Sequence, residues 1–491
     1  MGPRGRHVET GRSHRVPRSH DAGHPEPSHL HLNGGPMNPE VITLPESVRR
    51  ILDQAQESIP QGLLPISVFN DPDLHKVEME RIFGHNWVFI GHESEIPHRG
   101  DYVLRYIGED AFIFIRDEKG QIRVMWDSCR HRGSQICRAE SGNASHFRCP
   151  YHGWTYKNTG ELVGMPAYKE AYGGWDRSQI RLHEPAQVDS LYGLVFACLD
   201  PLTPPLDEFL GGAKWYMDFY HGLGEMEVVG EPHRWSVDAN WKLGCENFAG
   251  DEHHTLFLHR SMWEVGAIQV PRDRMSDGYH VQIGNGHTID MGMGPDPDES
   301  GIEYMDYPKE ITEKFKTGHL SKDQLALARQ SVIHVGIVAP NFAQLHLPLT
   351  SDAENIPPIP VKTLRVFQPK GPNEMEVWSW CVVWKGVSEE FKELSHRVLM
   401  STFSPSGIFE QDDVVPWLSI TKAAGSGFAR LKQPLLNYQM GMEGVGVSKP
   451  VPDWAGPGTA YSPRFEEGNQ RSFWSKWLRD MLVEPSKVST P

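Results

Sequence analysis

Short apolar runs separated by turn residues dominate the first third of the chain. Between residues 102 and 128 the runs YVLRYI, AFIFIRD and IRVMWDS are divided by Gly-Glu-Asp and Asp-Glu-Lys-Gly, a pattern typical of antiparallel strands. The run LYGLVFACLD at 191–200 continues this pattern. Residues 84–204 are therefore predicted to form a compact all-β domain.

Helical periodicity appears before and after this β pattern. Residues 37–83 form a predicted helical lead-in, with Val48, Ile51 and Leu52 on one face, that packs against a later domain. The prolines of PLTPPLDEFL mark a boundary, and residues 205–491 form the second predicted domain. Its predicted elements are helices at 206–220 and 388–402 and strands at 226–239, 332–348 and 361–385. The predicted fold class is α+β, because an all-β domain is followed by a sheet with surrounding helices.

Two stretches lack clear periodicity. Residues 266–304 are rich in Gly, Met, Asp and Pro, and are predicted to be a long loop of the kind that forms lids or entrance walls. Residues 1–36 hold six histidines and five arginines but few apolar side chains. They are predicted to be a disordered tail, or an over-long start before Met37.

Composition narrows the classes of function. The net charge of −16 argues against a nucleic-acid partner, which would need clustered cations. No apolar run approaches the length of a membrane span, so a soluble cytoplasmic protein is expected. The six cysteines lack the regular framework of a small secreted protein and are expected to be reduced thiols.

Two cysteine–histidine pairs form the first candidate metal site. Cys129 and His131 are two residues apart, which would place them on one side of an extended segment. Cys149 and His152 are three apart and would meet across a turn supported by Pro150. Two thiolates and two imidazoles suit either a structural zinc tetrahedron or a [2Fe–2S] cluster of the Rieske type.

A second candidate site lies in the segment NWKLGCENFAGDEHHTLFLH. Two imidazoles and one carboxylate make the facial triad of mononuclear non-haem iron, and His254 and His259 are the candidate imidazoles. These two histidines are about 140° apart on an ideal helix, so a kink or π-bulge must bring them together. Asp251, one helical turn before His254, suits a hydrogen-bond partner of that imidazole better than a ligand. His253 is a rival ligand.

The strings CRHRG, CPYHGWTY, ENF, Asp-x-x-His and FEQDD together resemble the catalytic α subunits of Rieske non-haem iron aromatic-ring-hydroxylating dioxygenases, the naphthalene and biphenyl dioxygenase group. The resemblance covers residues 40–430 and favours the [2Fe–2S] cluster over zinc. It implies cluster ligands Cys129, His131, Cys149 and His152, and iron ligands His254, His259 and Asp413. Asp412 is then expected to be an exposed or capping acid.

The resemblance also implies a reaction: a terminal oxygenase adds both atoms of dioxygen to an aromatic ring and yields a cis-dihydrodiol. Electrons would pass from the cluster of one subunit to the iron of the next, in an α3 trimer or an α3β3 assembly with a small β subunit. NADH would act only through a separate reductase and ferredoxin, because the chain has no nucleotide-binding motif. The substrate, a hydrocarbon or an aromatic acid, is left open.

Two residues are then expected to be catalytic. Asp251 would bridge the subunits by contacting its own His254 and the neighbour's cluster ligand His152, and Asn247 would lie beside the substrate. The tentative pocket also includes Phe248, Thr255, Phe403 and Phe409. The alternatives are a Rieske monooxygenase or demethylase with the same two sites, and a non-enzymatic iron–sulfur or zinc protein.

Overall fold

The computed structural model describes residues 44–173, 175–352 and 354–483. The tail predicted at residues 1–36, and the choice between Met1 and Met37 as the start, lie outside these residues. Within them, antiparallel sheets are combined with helices, which confirms the α+β class. None of the described helices is both long enough and apolar enough to cross a membrane.

The segment before the first sheet is mostly helical. Its elements are α1 (Glu46–Ser58), β1 (Leu63–Pro65), α2 (Pro72–Glu78) and a π-helical turn (Met79–Phe83). Helix α1 buries Val48, Ile51 and Leu52 on one face, as its periodicity predicts. Helix α2 begins after Asp71, whose carboxylate accepts two backbone N–H groups of the first turn.

Three small antiparallel sheets make up the next part of the chain. Their strands are β2 (Val88–His92), β3 (Asp101–Ile107), β4 (Asp110–Arg116), β5 (Ile122–Trp126), β6 (Ser141–Asn143), β7 (His146–Arg148), β8 (Thr155–Lys157), β9 (Leu162–Gly164), β10 (Gln187–Leu191) and β11 (Leu194–Cys198), with one short helix, α3 (Tyr168–Tyr172). The strand orders are β5-β4-β3-β6, β7-β8-β9 and β10-β11-β2. The strands predicted between residues 102 and 128 correspond to β3, β4 and β5.

A ten-stranded antiparallel sheet organises the remainder. Its strands are β12 (Met226–Val228), β13 (His233–Val237), β14 (Gly278–Gly284), β15 (His287–Met293), β16 (Ser331–Val338), β17 (Phe342–Leu349), β18 (Ile359–Gly371), β19 (Glu374–Trp384), β21 (Lys449–Pro450) and β22 (Thr459–Ser462), whereas β20 (Leu435–Asn437) pairs with β1. The order is β12-β19-β18-β17-β16-β15-β14-β22-β21, and β13 also pairs with β19.

Helices surround this sheet. They are α4 (Leu206–Leu210), α5 (Gly212–Tyr220), α6 (Trp241–Phe248), α7 (Glu252–Leu258), α8 (Arg260–Glu264), α9 (Pro297–Ser300), α10 (Lys309–Thr312), α11 (Lys322–Gln330), α12 (Glu389–Thr402), α13 (Ile408–Ala424), α14 (Gly427–Lys432) and α15 (Gly468–Leu482). The helix predicted at 206–220 is divided in two at Gly211, which has a φ of 48°. C-terminal α15 packs against α1 and against α6, so the leading segment lies on the helices of the large sheet.

The prediction of one long loop at 266–304 is wrong in part, because this stretch contains β14 and β15. Strand β15 is buried at six of its seven residues, but only three of the seven, Ile289, Met291 and Met293, carry apolar side chains. Gly278, Gly284 and Gly292 also weaken the strand signal of these two segments.

The register gives the large sheet two different faces. Asp290, Val335 and Leu345 are direct cross-strand neighbours on β15, β16 and β17, and form one row across the sheet. His334 and His346, one residue away from this row, pair with each other on the opposite face. The face with Asp290 and Val335 carries the cavity described below.

A buried ion pair joins the leading segment to the second half of the chain. Glu78 of α2 accepts hydrogen bonds from Lys242 Nζ (2.6 Å) and from the indole N–H groups of Trp241 (3.2 Å) and Trp477 (2.8 Å). The side chains of Glu78 and Lys242 are at most 1% exposed. Each charged group needs the other as its hydrogen-bond partner, because water cannot reach this buried position.

Glu78→Ala is expected to lower the free energy of unfolding by about 3–5 kcal/mol, since it leaves an ammonium group and two indole N–H groups buried without an acceptor. The shift of the urea midpoint measures this loss. The double variant Glu78→Leu with Lys242→Met is the control, because it removes both charges and should lose much less stability. Equal losses in both variants would contradict the ion-pair explanation.

Candidate metal centres and substrate cavity

The two cysteine–histidine pairs lie on two loops of the same design. Cys149 and His152 occupy the turn between β7 and β8, and the other pair lies in the loop after β5. In each loop a glycine with positive φ, four residues after the cysteine, donates its N–H to the cysteine carbonyl: Gly133 (2.8 Å) and Gly153 (3.0 Å). The Cys129 loop is therefore a turn, not the predicted extended segment, because Gly133 reverses the chain.

The four side chains do not converge on a single point. Tetrahedral zinc would hold its ligand atoms about 3.3–3.8 Å apart. In the described part of the chain, however, the only group of three or more candidate ligands within 4.8 Å of one another lies at the second site. The rings of His131 and His152 are 4.5 Å apart, and the Nδ1 atom of each is buried with no hydrogen-bond partner among the described residues. Such a spread set of two thiolates and two free imidazole nitrogens fits a [2Fe–2S] cluster.

Two aromatic residues after this loop support the site. Trp154 stacks on His131, with the ring centroids 4.8 Å apart and the planes 8° from parallel. The Tyr156 hydroxyl accepts the backbone N–H of Arg130 at 3.1 Å and lies 3.3 Å from Cys129 Sγ, to which its own hydrogen can be donated. Tyr156 was missed as a functional residue, although it stands in the string CPYHGWTY.

Tyr156→Phe is expected to lower the reduction potential of the cluster by about 50–100 mV. A hydrogen bond to a ligand sulfur stabilises the reduced cluster, which carries the extra negative charge, by about 1.5–2 kcal/mol. A redox titration followed by electron paramagnetic resonance measures the potential. Tyr172→Phe, which removes a hydroxyl from a ring packed on Trp154, is the control and should leave the potential unchanged. An unchanged potential in Tyr156→Phe would show that the hydroxyl does not bond to the sulfur.

The second site brings together the three side chains predicted to bind iron. His254 Nε2 lies 3.2 Å from His259 Nε2 and 3.4 Å from Asp413 Oδ1, and His259 Nε2 lies 3.1 Å from the same oxygen. Helix α7 ends at Leu258, and His259 has non-helical angles (φ −95°, ψ 22°) before α8 starts. This break, not a π-bulge, turns the two imidazoles toward each other. The three atoms are placed to hold one metal ion, and Asp413 Oδ1 has no hydrogen-bond partner among the described residues.

The neighbours of the triad set its charge and orientation. Burial opposes ionisation of Asp413, but the imidazoles of His259 and His254 lower its pKa below the ordinary value, so it provides an anionic ligand. Asp412, 33% exposed within α13, lies 3.3 Å from His259 Nδ1. Asp412 lies inside α13 and is therefore not a helix cap. Its contact with His259 holds the proton on Nδ1 and leaves Nε2 free to bind metal. His253 is exposed and lies against Phe257 and Phe465, away from the triad.

Asp251 lies between the iron site and the protein surface. The imidazole N–H of His254 donates from Nδ1 to the backbone carbonyl oxygen of Asp251, and the Asp251 carboxylate lies 3.5 Å from the same nitrogen. The carboxylate side chain is 35% exposed. It is therefore free to accept a second hydrogen bond from a group outside this chain.

A cavity opens beside the triad, between α6, α7, α13 and the large sheet. All five residues predicted for the pocket line it: Asn247, Phe248, Thr255, Phe403 and Phe409. Sequence reasoning missed the rest of the lining, which consists of Glu252, Ile268, Val270, Met275, Asp290, Ile333, Val335, Leu345, Leu347, Pro348 and Leu349. Four of these residues belong to the stretch 266–304. That stretch therefore contributes to a wall of the cavity, as predicted, although part of it forms strands instead of a loop. The lining is mostly apolar, as is typical of sites for small molecules.

Comparison with known proteins agrees with this architecture. Residues 86–183 match the model of the Rieske [2Fe-2S] domain, and residues 206–483 match the ring hydroxylating alpha subunit catalytic domain. The chain therefore belongs to the family of ring-hydroxylating oxygenase α subunits, iron-dependent oxidoreductases that combine a Rieske [2Fe–2S] cluster with a catalytic iron site.

Individual relatives act on several aromatic compounds. The chain is 36% identical over 438 residues to the α subunit of N,N-dimethyl phenylurea N-demethylase from Sphingobium sp. (strain YBL2), covering 88% of this chain and 94% of that one. It is 33% identical over 471 residues to the biphenyl dioxygenase α subunit of Metapseudomonas furukawaii, covering 93% and 97%. The chain is 44% identical in sequence to naphthalene 1,2-dioxygenase from Rhodococcus sp., whose crystal structure was solved with indole bound. The two structures superpose with a TM-score of 0.85, covering 90% of this chain and 100% of that one.

Proposed function

We propose that this chain is the catalytic subunit of a terminal dioxygenase that adds both atoms of dioxygen to an aromatic ring and forms a cis-dihydrodiol. The observation that supports this proposal most directly is the mostly apolar cavity that ends at His254, His259 and Asp413. When bound, the mononuclear iron supplies the dioxygen chemistry and the [2Fe–2S] cluster supplies single electrons.

The side chains of the chain would divide the remaining work. Cys129, His131, Cys149 and His152 hold the cluster; His254, His259 and Asp413 hold the iron. Phe248, Phe403 and Phe409 place the ring of the substrate, and the rings of Phe403 and Phe409 stack at 4.9 Å. Asn247 and Thr255 are polar side chains in the same lining, close to the triad. The apolar walls exclude water from the reacting ring.

Electrons are proposed to arrive from a second copy of the chain. His152 is half-buried beside Tyr151, which is 60% exposed, so the cluster loop reaches the surface. The Asp251 carboxylate is also accessible, and can accept N–H groups from its own His254 and from the His152 of a neighbouring copy. An α3 or α3β3 assembly would provide this contact, and a ferredoxin and a reductase would deliver electrons from NADH.

A reconstituted assay with ¹⁸O₂ tests the reaction. The chain, with a family ferredoxin, a reductase and NADH, is incubated with naphthalene and biphenyl, and the products are analysed by mass spectrometry. Two labelled atoms in a dihydrodiol support the proposal. Products with one labelled atom from every substrate would contradict it.

N-demethylation is the second candidate, because a relative that covers most of the chain is an N-demethylase subunit. N-methylated aryl ureas in the same assay distinguish the two reactions: a demethylase would release formaldehyde and form no dihydrodiol. A non-enzymatic electron carrier or a zinc protein is not supported, since the catalytic-domain model matches residues 206–483.

A further inference from the structure

A group of buried charges lies at one wall of the cavity. In the cross-strand row of the large sheet, Asp290 is a carboxylate, whereas its neighbours Val335 and Leu345 are apolar. Arg464 Nη1 donates to both oxygens of Asp290, at 2.9 Å and 2.8 Å. Both side chains are 1% exposed. Asp290 is thus fully satisfied as a hydrogen-bond acceptor although it lines the cavity.

Glu252, the first residue of α7, has one carboxylate oxygen that accepts no hydrogen bond from the described residues. Its Oε2 lies 3.2 Å from Arg464 Nη1, but its Oε1 is buried with no hydrogen-bond partner among the described residues. The residue is 6% exposed and lines the cavity together with the iron triad. A buried carboxylate oxygen without a donor is costly, so the absence of a partner calls for an explanation.

Arg464 contacts the other oxygen of this carboxylate and does not bond to Oε1. Arg464 Nε donates to the backbone carbonyl oxygen of Met275 at 2.8 Å, and Nη1 is shared between Asp290 and Glu252. His280, also buried nearby, bonds through Nδ1 to Glu466 at 3.2 Å. His280 Nε2 lies 3.5 Å from Asp290 and has no hydrogen-bond partner among the described residues. None of these groups bonds to Glu252 Oε1, which stays open to a donor that arrives with a ligand.

We propose that Glu252 is a specificity-determining residue, whose Oε1 accepts a hydrogen bond from an N–H or O–H group on the aromatic substrate. This inference rests on the proposed function and names its preferred substrate class: aromatic rings that carry a hydrogen-bond donor, such as aryl amines, bound more tightly than plain hydrocarbons. Aromatic carboxylates are disfavoured, because Asp251, Glu252, Asp290 and Asp413 line the cavity and no lysine or arginine does among the described residues.

The expected discrimination is large. A site built to hydrogen-bond a donor rejects an analogue that lacks it, because the buried acceptor is then left unpaired. Leaving a buried acceptor unpaired corresponds to about 5- to 150-fold in affinity. The apolar residues of β16 and β17 contact the ring equally in all analogues and do not contribute to this difference.

Calorimetric binding to the intact, metal-loaded protein under anaerobic conditions tests the proposal without turnover. The ligands are 1-naphthylamine, which carries a donor, and 1-methylnaphthalene, which has the same shape without one. We expect the amine to bind at least 10-fold more tightly. Glu252→Leu should bring the ratio of the two dissociation constants close to one, and Glu252→Gln, which keeps the contact with Arg464, should lower it at least threefold.

Asp290→Asn is the matched control, because it disturbs the same arginine but removes no open acceptor. It should leave the ratio unchanged. Equal affinities in the unaltered protein, an unchanged ratio in Glu252→Gln, or an equal collapse of the ratio in Asp290→Asn would each overturn the proposal. A failed oxygenation assay with an intact binding preference would instead count against the proposed reaction alone, so the two failures are distinguishable.

Discussion

Asp413→Ala is expected to remove the mononuclear iron and abolish turnover while the [2Fe–2S] cluster stays intact. The carboxylate is the only anionic member of the triad, and its Oδ1 lies within 3.4 Å of both imidazole nitrogens. Two neutral histidines on the short helix α7 and its end do not hold a hard divalent ion against water without it. Turnover should fall by at least about 10³-fold, since the oxygen chemistry depends on the metal.

The measurement is iron and acid-labile sulfide per chain. Iron should fall from about three to about two atoms, with about two sulfides retained and the visible spectrum of the cluster unchanged. Asp412→Asn is the neighbouring control: that side chain contacts only His259 Nδ1, at 3.3 Å, so iron should remain bound when Fe²⁺ is in excess. If Asp413→Ala keeps its full iron content, a different residue supplies the third ligand.

Asp251→Ala is expected to stop turnover with both metal centres occupied. Its carboxylate lies 3.5 Å from His254 Nδ1 and is 35% exposed, whereas the backbone carbonyl oxygen of the same residue also accepts from that nitrogen. The alanine variant keeps the carbonyl, so His254 retains its orientation and the iron stays bound. What is lost is the acceptor for the histidine of a neighbouring cluster, and turnover should fall at least about 100-fold.

The decisive readout is oxidation of the cluster in a single turnover. The protein is reduced chemically and mixed with dioxygen and substrate; in Asp251→Ala the spectrum of the reduced cluster should persist, whereas the unaltered protein reoxidises. Glu264→Gln is the control, because it neutralises an exposed carboxylate on the next helix, α8, and should behave like the unaltered protein. Loss of iron from Asp251→Ala would place this residue among the ligands and contradict the bridging role.

Much of the fold was predictable where one face of each element meets solvent. Helix α1 buries one set of side chains and exposes the other, so its periodicity is visible in the sequence. Strand β4 is buried at four consecutive residues and was predictable instead from its short apolar run between turn residues. Strands β14 and β15 were missed because Gly278, Gly284 and Gly292 lower the strand propensity of these segments, although both lie in the interior of the large sheet.

The candidate site also contains residues that the sequence predicted and residues that it did not. Ligand types and short spacings predicted the Cys129 and Cys149 loops and the two histidines, because a metal restricts which side chains can surround it. Glu252 and Asp290 were missed because a lone acid in the sequence reads as a surface residue. Their significance comes from Arg464, which contacts both of them from a segment near the C-terminus.

The sequence by itself determined the kind of chemistry this protein can support: the donor atoms for two metal centres, and the apolar rings that would accompany them. The tertiary structure alone decided that Asp413 reaches His254 and His259, that the helix breaks at His259, and that Glu252 and Asp290 line the cavity among apolar side chains. Local spacing is set by the repeat of the backbone and can be read from neighbouring residues. Contacts between distant segments depend on how the whole chain packs, and no short stretch contains that information.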